Sequence, residues 1–205
     1  MTRTIAIIAM IGLAALSRIV PHPPNFAPIT AMALFGGAYF ASRWLAFLVP
    51  LAAMALSDAL LEVLTRTPGL YHGSWLATGS GFHSGWWVVY ATFAVIVGIG
   101  MLLRGRQSIV SVALATLISS VLFFVVTNFA VWAADVAHPA TALYQPNLGG
   151  LITCYTMAIP FFSWEVAGNL FFVTILFGGF ALAQRFVPAL RPSLIFADAH
   201  TYPKN

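Results

Sequence analysis

Arg18-Ile19-Val20-Pro21-His22-Pro23-Pro24-Asn25-Phe26-Ala27-Pro28 cuts an apolar N-terminal run in two. Four prolines within eight residues rule out a continuous helix. Each ring removes a backbone donor and clashes with the preceding turn. Apolar, helix-compatible sequence lies on both sides. A broken segment between membrane helices survives where it lines a cavity or sits at the headgroup level. The stretch therefore predicts one wall of a binding site on one face of a membrane protein.

The composition around it agrees. Of 205 residues, 60% are hydrophobic and only 7% are charged, and the mean hydropathy is +0.92. A soluble domain carries about 25% charge. The length suits one compact bundle. A net charge of +4 without any basic run gives no reason to expect nucleic acid as a partner. Cys154 is the single cysteine, which excludes an internal disulfide. Arg3 and the apolar run from Ile5 to Leu16 have the outline of a secretory signal, but the cleavage site near Ala14 and Ala15 is poorly formed. A retained first helix is expected.

A transmembrane helix needs about 20 apolar residues. The sequence predicts crossings at Thr4 to Val20, Ile29 to Phe40, Trp44 to Leu64, Trp86 to Leu103, Gln107 to Ala134 and Phe161 to Phe186. The second is short and carries Gly36-Gly37 for close packing, so it should end inside the bundle. Pro160 should divide the long run from Leu151 to Phe186 into an interfacial piece and the sixth helix. Residues 1–187 thus form the transmembrane domain. Residues 188–205 form a polar cytoplasmic tail whose three prolines argue for little fixed structure. With the N-terminus inside, seven of the nine basic residues fall on the cytoplasmic side and only Arg18 and Arg66 on the outer side. This positive-inside bias places both termini in the cytoplasm. The long loops, 65–85 and 135–150, then face outward with His22, His72, His83 and His138. Long loops on one face usually carry function.

The candidate ligand contacts follow from that placement. Asp58 and Glu62 share one face of the third helix, and Glu165 lies toward the outer end of the sixth. Membrane carboxylates face a cavity or a partner. Either the acidic residues pair with Arg18 or Arg66, or they contact a ligand or cation. His22 is held by flanking prolines; no His-x-x-x-His spacing suggests zinc. Asn25-Phe26-Ala27 recurs as Asn128-Phe129-Ala130. Both asparagines could bond a substrate or satisfy the broken backbone. Trp75, Trp86, Trp87, Tyr90, Trp132, Tyr144, Tyr155 and Trp164 cluster at the outer level, as interface anchors or as a stacking surface. Cys154 is a packing residue or a metal-contacting thiolate. No nucleophile elbow, His-Glu-x-x-His or phosphate loop occurs, so an enzyme is not expected.

Residues 18–28, Leu-Phe-Gly-Gly-Ala-Tyr-Phe (34–40), Leu-Ser-Asp (56–58), Ser-Ser-Val-Leu-Phe-Phe-Val-Val-Thr-Asn-Phe-Ala-Val-Trp (119–132) and Ala-Ile-Pro-Phe-Phe (158–162) resemble a family of small bacterial inner-membrane proteins. This is DUF6580, a domain of unknown function regarded as a transport family. It is similar to the substrate-binding S-components of energy-coupling factor (ECF) vitamin transporters. The resemblance implies an all-α, six-transmembrane-helix bundle of ECF S-component type, N-in and C-in, with a ligand pocket built from long outer loops. Cobalamin transporters of the BtuM type are the nearest functional relatives it suggests. They place a cysteine against the corrinoid cobalt. Here the loop 65–85 has no cysteine, so Cys154, His72, His83 or His22 would have to serve. ECF-type transmembrane and ATPase subunits are the implied protein partners. Small residues at Ala6, Ala9, Gly12 and Ala15 could form the docking stripe on the first helix.

The expectation from sequence is a membrane protein taking up a small molecule, such as cobalamin, from the outer side. It has no intrinsic cofactor. Its substrate contacts are His22, Asn25, Phe26, Asp58, His72, His83, Asn128, Tyr144 and Glu165. The alternative is a structural or assembly factor whose outer loops bind a protein.

Overall fold

The computed structural model describes residues 1–20, 22–67 and 85–191. His72 and His83, the rest of the loop around them, and the tail from residue 192 lie outside the described residues. So does Pro21. Among the described residues the protein is all helical. The helices are α1 (Thr2–Leu16), α2 (Ile29–Tyr39), α3 (Arg43–Arg66), α4 (Trp86–Leu102), α5 (Ile109–Val136), α6 (Leu148–Val173) and α7 (Gly179–Phe186). A π-helical turn, Thr174–Gly178, joins α6 to α7 in one rod. Four spans are long and apolar enough to cross a membrane: Thr2–Ile19, Arg43–Arg66, Ile109–Val136 and Leu148–Phe186. This is a membrane protein.

The bundle is built around a short helix. α2 has 11 residues, about 17 Å at 1.5 Å per residue, too short for a bilayer. Every residue from Thr30 to Tyr39 is buried. Glycines admit the neighbours on two sides. A Cβ on Gly36 would lie 2.5 Å from Pro50 Cγ of α3, and one on Gly37 would lie 2.4 Å from the Val97 carbonyl of α4. Phe35 and Tyr39 pack edge-on or tilted against Phe177 and Phe180 of the long C-terminal rod. The sequence expectation that Gly36-Gly37 marks close packing, and that this helix ends inside the bundle, matches the packing.

Two expectations need correction. Pro160 does not divide the last apolar run: α6 passes straight through it to Val173. One proline removes one ladder bond, whereas an open backbone in lipid would leave several groups unpaired. The start is also fixed locally, since Asn147 Oδ1 accepts from Gly150 N at 3.0 Å. The second correction concerns the chain after α7, which does not turn loose at once. Pro188–Leu190 makes a 3-10 turn with Leu190 buried, and the Arg191 guanidinium donates to the carbonyls of Gln184 and Arg185.

Contacts fix the directions. Arg18 at the end of α1 meets Asp58 near the end of α3, while Arg3 lies over the Tyr39 ring at the end of α2, 5.9 Å from its centroid. Arg104 Nε, just past α4, donates to Gly37 O at 3.0 Å. Thus α1, α3 and α5 run one way and α2, α4 and α6–α7 the other. Arg3, Arg43 and Arg104 gather at one end. The 17–28 segment and the 137–147 connection lie at the other.

Candidate ligand-binding cavity

The proline-rich segment folds as a short 3-10 turn, Ser17–Ile19, followed by irregular backbone. Asn25 has φ 64°, a left-handed conformation that asparagine tolerates better than most residues. Phe26 then turns back onto α6. Its Cα occupies the space a side chain would need at Gly168, 2.9 Å from the position of an added Cβ. Its ring lies between Phe171 and Phe172, with centroids 5.6 and 5.7 Å away. Phe26 is therefore an anchor, and it holds Pro24 and Asn25 over the gap between α4, α5 and α6.

That gap is a cavity of about 910 Å³. Its described polar lining comprises Asn25, Thr127, Asn128, Asp135, His138 and Glu165, and Phe123, Phe124 and Phe161 supply aromatic walls. Among the described lining residues there is no lysine or arginine.

Glu165 is the unusual member. It is 5% exposed. Its Oε1 is buried without a hydrogen-bond partner. Asn169, one turn along, lies within hydrogen-bond reach of the carboxylate and donates from Nδ2 to Ser120 Oγ at 2.9 Å. Because α6 runs through Pro160, Glu165 lies level with the middle of α5, near Ser120 and Phe123. The sequence placed it toward a helix end. Leaving a buried polar atom unpaired costs ~1–3 kcal/mol, more for a charged group, so this oxygen is where a ligand donor gains most.

Other sequence-named residues are spent on structure. Asp58, 2% exposed, pairs with Arg18 NH2 at 2.6 Å and accepts from the Tyr90 hydroxyl at 2.7 Å. The same guanidinium bonds Ser57 Oγ. Glu62 pairs with Arg66 one turn away. Of the two readings left open for these carboxylates, ion pairing is the one the geometry shows. His22 Nδ1 lies 2.9 Å from Pro23 O, outside the cavity lining. Tyr144 and Cys154 are in hydrogen-bond contact, and the thiol also donates to Asn128 O at 3.6 Å. This packs Cys154 between α5 and α6, away from the lining. Burial, then the neighbouring Cys154, pushes the Tyr144 phenol pKa up. Asn128 Nδ2 donates to its own helix at Phe124 O, 2.8 Å away, not to the broken backbone. Among the described residues no group of three or more His, Cys, Asp or Glu could hold a metal ion.

Of the nine sequence-named contacts, the cavity gathers Asn25, Asn128 and Glu165. It adds Thr127, Asp135 and His138, which the sequence analysis did not single out as ligand contacts. Asp135 also accepts from the backbone amides of Leu143 and Tyr144, 2.8 to 3.1 Å away, and so folds the 137–144 connection over the end of α5. An acidic residue at a helix end before a proline-containing turn was the available signal for that. The proposed docking stripe on α1 is not one face: Ala15 is buried, Ala6 packs on the core and Ala9 is exposed. Steps of three drift by about 60° around a 3.6-residue helix.

Among the described residues, fold and site together define an all-helical membrane protein with a polar cavity between α4, α5, α6 and the 22–28 segment. The chain belongs to a family of unknown function, DUF6580, whose profile matches residues 1–190. No curated protein and no solved structure matches it.

Proposed function

We propose that this protein binds a small molecule in the cavity between α4, α5, α6 and the 22–28 segment and carries it across the membrane. The observation that carries this reading is the buried, unpartnered Glu165 Oε1 in the cavity wall. A carboxylate inside a membrane bundle is retained for a partner, and the protein supplies that oxygen with none. The volume suits a drug-sized ligand, for which pockets run ~300–1,000 Å³. Irregular backbone lining a cavity between membrane helices is an arrangement carriers use. The arginine end faces the cytoplasm by the positive-inside rule, so the cavity loads from the outer side of a bacterial inner membrane, and both termini are internal. The resemblance to ECF S-components drawn from the sequence would make this uptake from the outer side, with ECF-type subunits as partners. Cobalamin draws little support: Cys154 is turned to the α5 backbone, and His72 lies outside the described residues.

Purification from native membranes, followed by mass spectrometry of co-purified small molecules, tests the proposal. Wild type should carry a stoichiometric ligand. Glu165→Gln should bind it about 5- to 150-fold more weakly, the equivalent of ~1–3 kcal/mol. A folded Glu165→Gln protein that retains the same ligand at the same affinity would sink this assignment.

A further inference from the structure

A second hollow lies against the first. It is a groove of about 610 Å³ between α4 and α5, and its described lining is almost wholly apolar. Trp87, Val95, Leu122, Val126 and Phe129 shape it. Gly85, Val88, Ala130 and Ala134 line both hollows. At that seam the wall consists of one glycine, one valine and two alanines. Larger residues stand on either side: Val95, Leu122 and Val126 in the groove, Phe123 and Phe124 in the cavity. A helix pair meant to seal a polar cavity from lipid would fill the seam with bulk. Here the shared residues carry little bulk, and the described cavity lining beyond them includes the unpaired Glu165 oxygen and no lysine or arginine.

We infer that the groove and the cavity form one bipartite site for a single-chain amphiphile with a cationic amine head: the head pairs with Glu165, and the apolar chain passes the Val88–Ala130–Ala134 seam into the α4–α5 groove. This rests on the small-molecule reading above and names the class of ligand. Two independent features support it. One is charge: the described lining has carboxylates at Glu165 and Asp135 and no fixed cation. The other is adjacency: four residues line both an apolar hollow and a polar one, so only their small side chains separate the two. A wholly polar solute would leave the groove unused. A plain hydrocarbon would leave Glu165 unpaired. The seam also gives such a ligand a lateral route from the bilayer, where its chain already partitions.

The test uses photoaffinity probes on the full chain in octyl glucoside micelles. Dodecylamine with a diazirine at the tail end should label peptides containing Trp87 or Phe129, beside the seam, at least tenfold more than dodecyl sulfate with the same tail. Excess unlabelled n-butylamine, which fills only the head site, should suppress that labelling. Ala130→Leu, which thickens the seam, and Glu165→Gln should each reduce it about tenfold. If Glu165→Gln fails to fold, the butylamine competition in wild type decides the matter. Groove labelling equal for amine and sulfate, or indifferent to butylamine, overturns the inference, because the groove then holds any acyl chain. A short diazirine-bearing butylamine separates the two levels. If it labels near Glu165 while the long probe avoids the groove, the small-molecule reading stands and the amphiphile falls. If neither probe labels its site, the amine assignment falls, and the small-molecule reading stands or falls on the co-purification above.

Discussion

Asp58→Asn is the substitution that separates a structural carboxylate from a ligand-binding one. Asp58 is 2% exposed, and its oxygens meet Arg18 NH2 at 2.6 Å and the Tyr90 hydroxyl at 2.7 Å. Asparagine keeps the shape and an acceptor for Tyr90, so the loss is mainly the charge opposite Arg18. Breaking a buried pair costs ~3–5 kcal/mol because the surviving charge stays uncompensated. The Arg18 side chain retains 12% exposure, and partial hydration lowers the expectation to about 2–4 kcal/mol. That is roughly 30- to 1,000-fold in the unfolding equilibrium. Arg66→Gln is the comparison. Its side chain is 76% exposed in an i,i+4 pair with Glu62, and such pairs contribute about 0.3–0.5 kcal/mol. SDS-driven unfolding in mixed micelles, followed by tryptophan fluorescence, reads both. Arg18→Met completes a double-mutant cycle, in which Asp58→Asn should cost much less once Arg18 is gone. Equal costs for Asp58→Asn and Arg66→Gln, or strict additivity with Arg18→Met, would refute the latch. Ligand affinity of the folded Asp58→Asn protein should stay within about twofold of wild type, since a latch outside the cavity wall leaves the ligand contacts in place.

The other predictions test the central helix and the broken segment. Gly37→Ala must push α2 and α4 apart by about 1 Å to restore ordinary contact distance, which should cost ~1–3 kcal/mol. Gly12→Ala, with nothing within 4 Å of its added Cβ, should be neutral or stabilising by up to ~1 kcal/mol, and chemical unfolding ranks the pair. Asn25→Gly should keep the fold and lose ligand affinity, whereas Asn25→Ala should also lose about 1 kcal/mol of stability from the left-handed φ. His22→Ala should leave affinity unchanged within about twofold, since a side chain off the lining gives up no ligand contact, and a larger loss would return His22 to the site. A cysteine at Thr141 should react with an impermeant thiol reagent in intact spheroplasts and one at Gln107 should not; the reverse pattern would invert the proposed orientation.

The helix count and the role of α2 were legible because they rest on local chemistry. Four prolines end a helix, two adjacent glycines invite a neighbour, and runs of apolar residues have nowhere to go but lipid or core. Pro160 was misread for an instructive reason. The rule that proline breaks helices comes from water, where freed carbonyls find solvent. Inside a bilayer the alternative is worse, so Pro50 and Pro160 both sit within continuous helices. Pro50 even becomes a packing surface for Gly36. The prolines at 21–28 do end a helix, because several together remove more bonds than the remaining ladder can offset.

The site was less legible, and the difference between Asp58 and Glu165 shows why. Both are carboxylates in apolar helices, and from sequence each had the same two readings. What divides them is a partner far away in the chain. Arg18 reaches Asp58 across 40 residues because α1 and α3 run parallel and end together, a fact of tertiary register that no local pattern encodes. Among the described residues Glu165 Oε1 meets no partner, and the described cavity lining holds no lysine or arginine. The continuity of α6 through Pro160 sets Glu165 level with Ser120 and Phe123, whereas the basic residues cluster at the opposite end or pair with Asp58 and Glu62. A misplaced helix break thus became a misjudged neighbourhood, and burial beside a cavity is what gives an unpaired carboxylate its meaning in a membrane. At the interface Glu165 would be solvated and unremarkable. Buried, with one oxygen bare beside a cavity, it is the group a cationic ligand would seek.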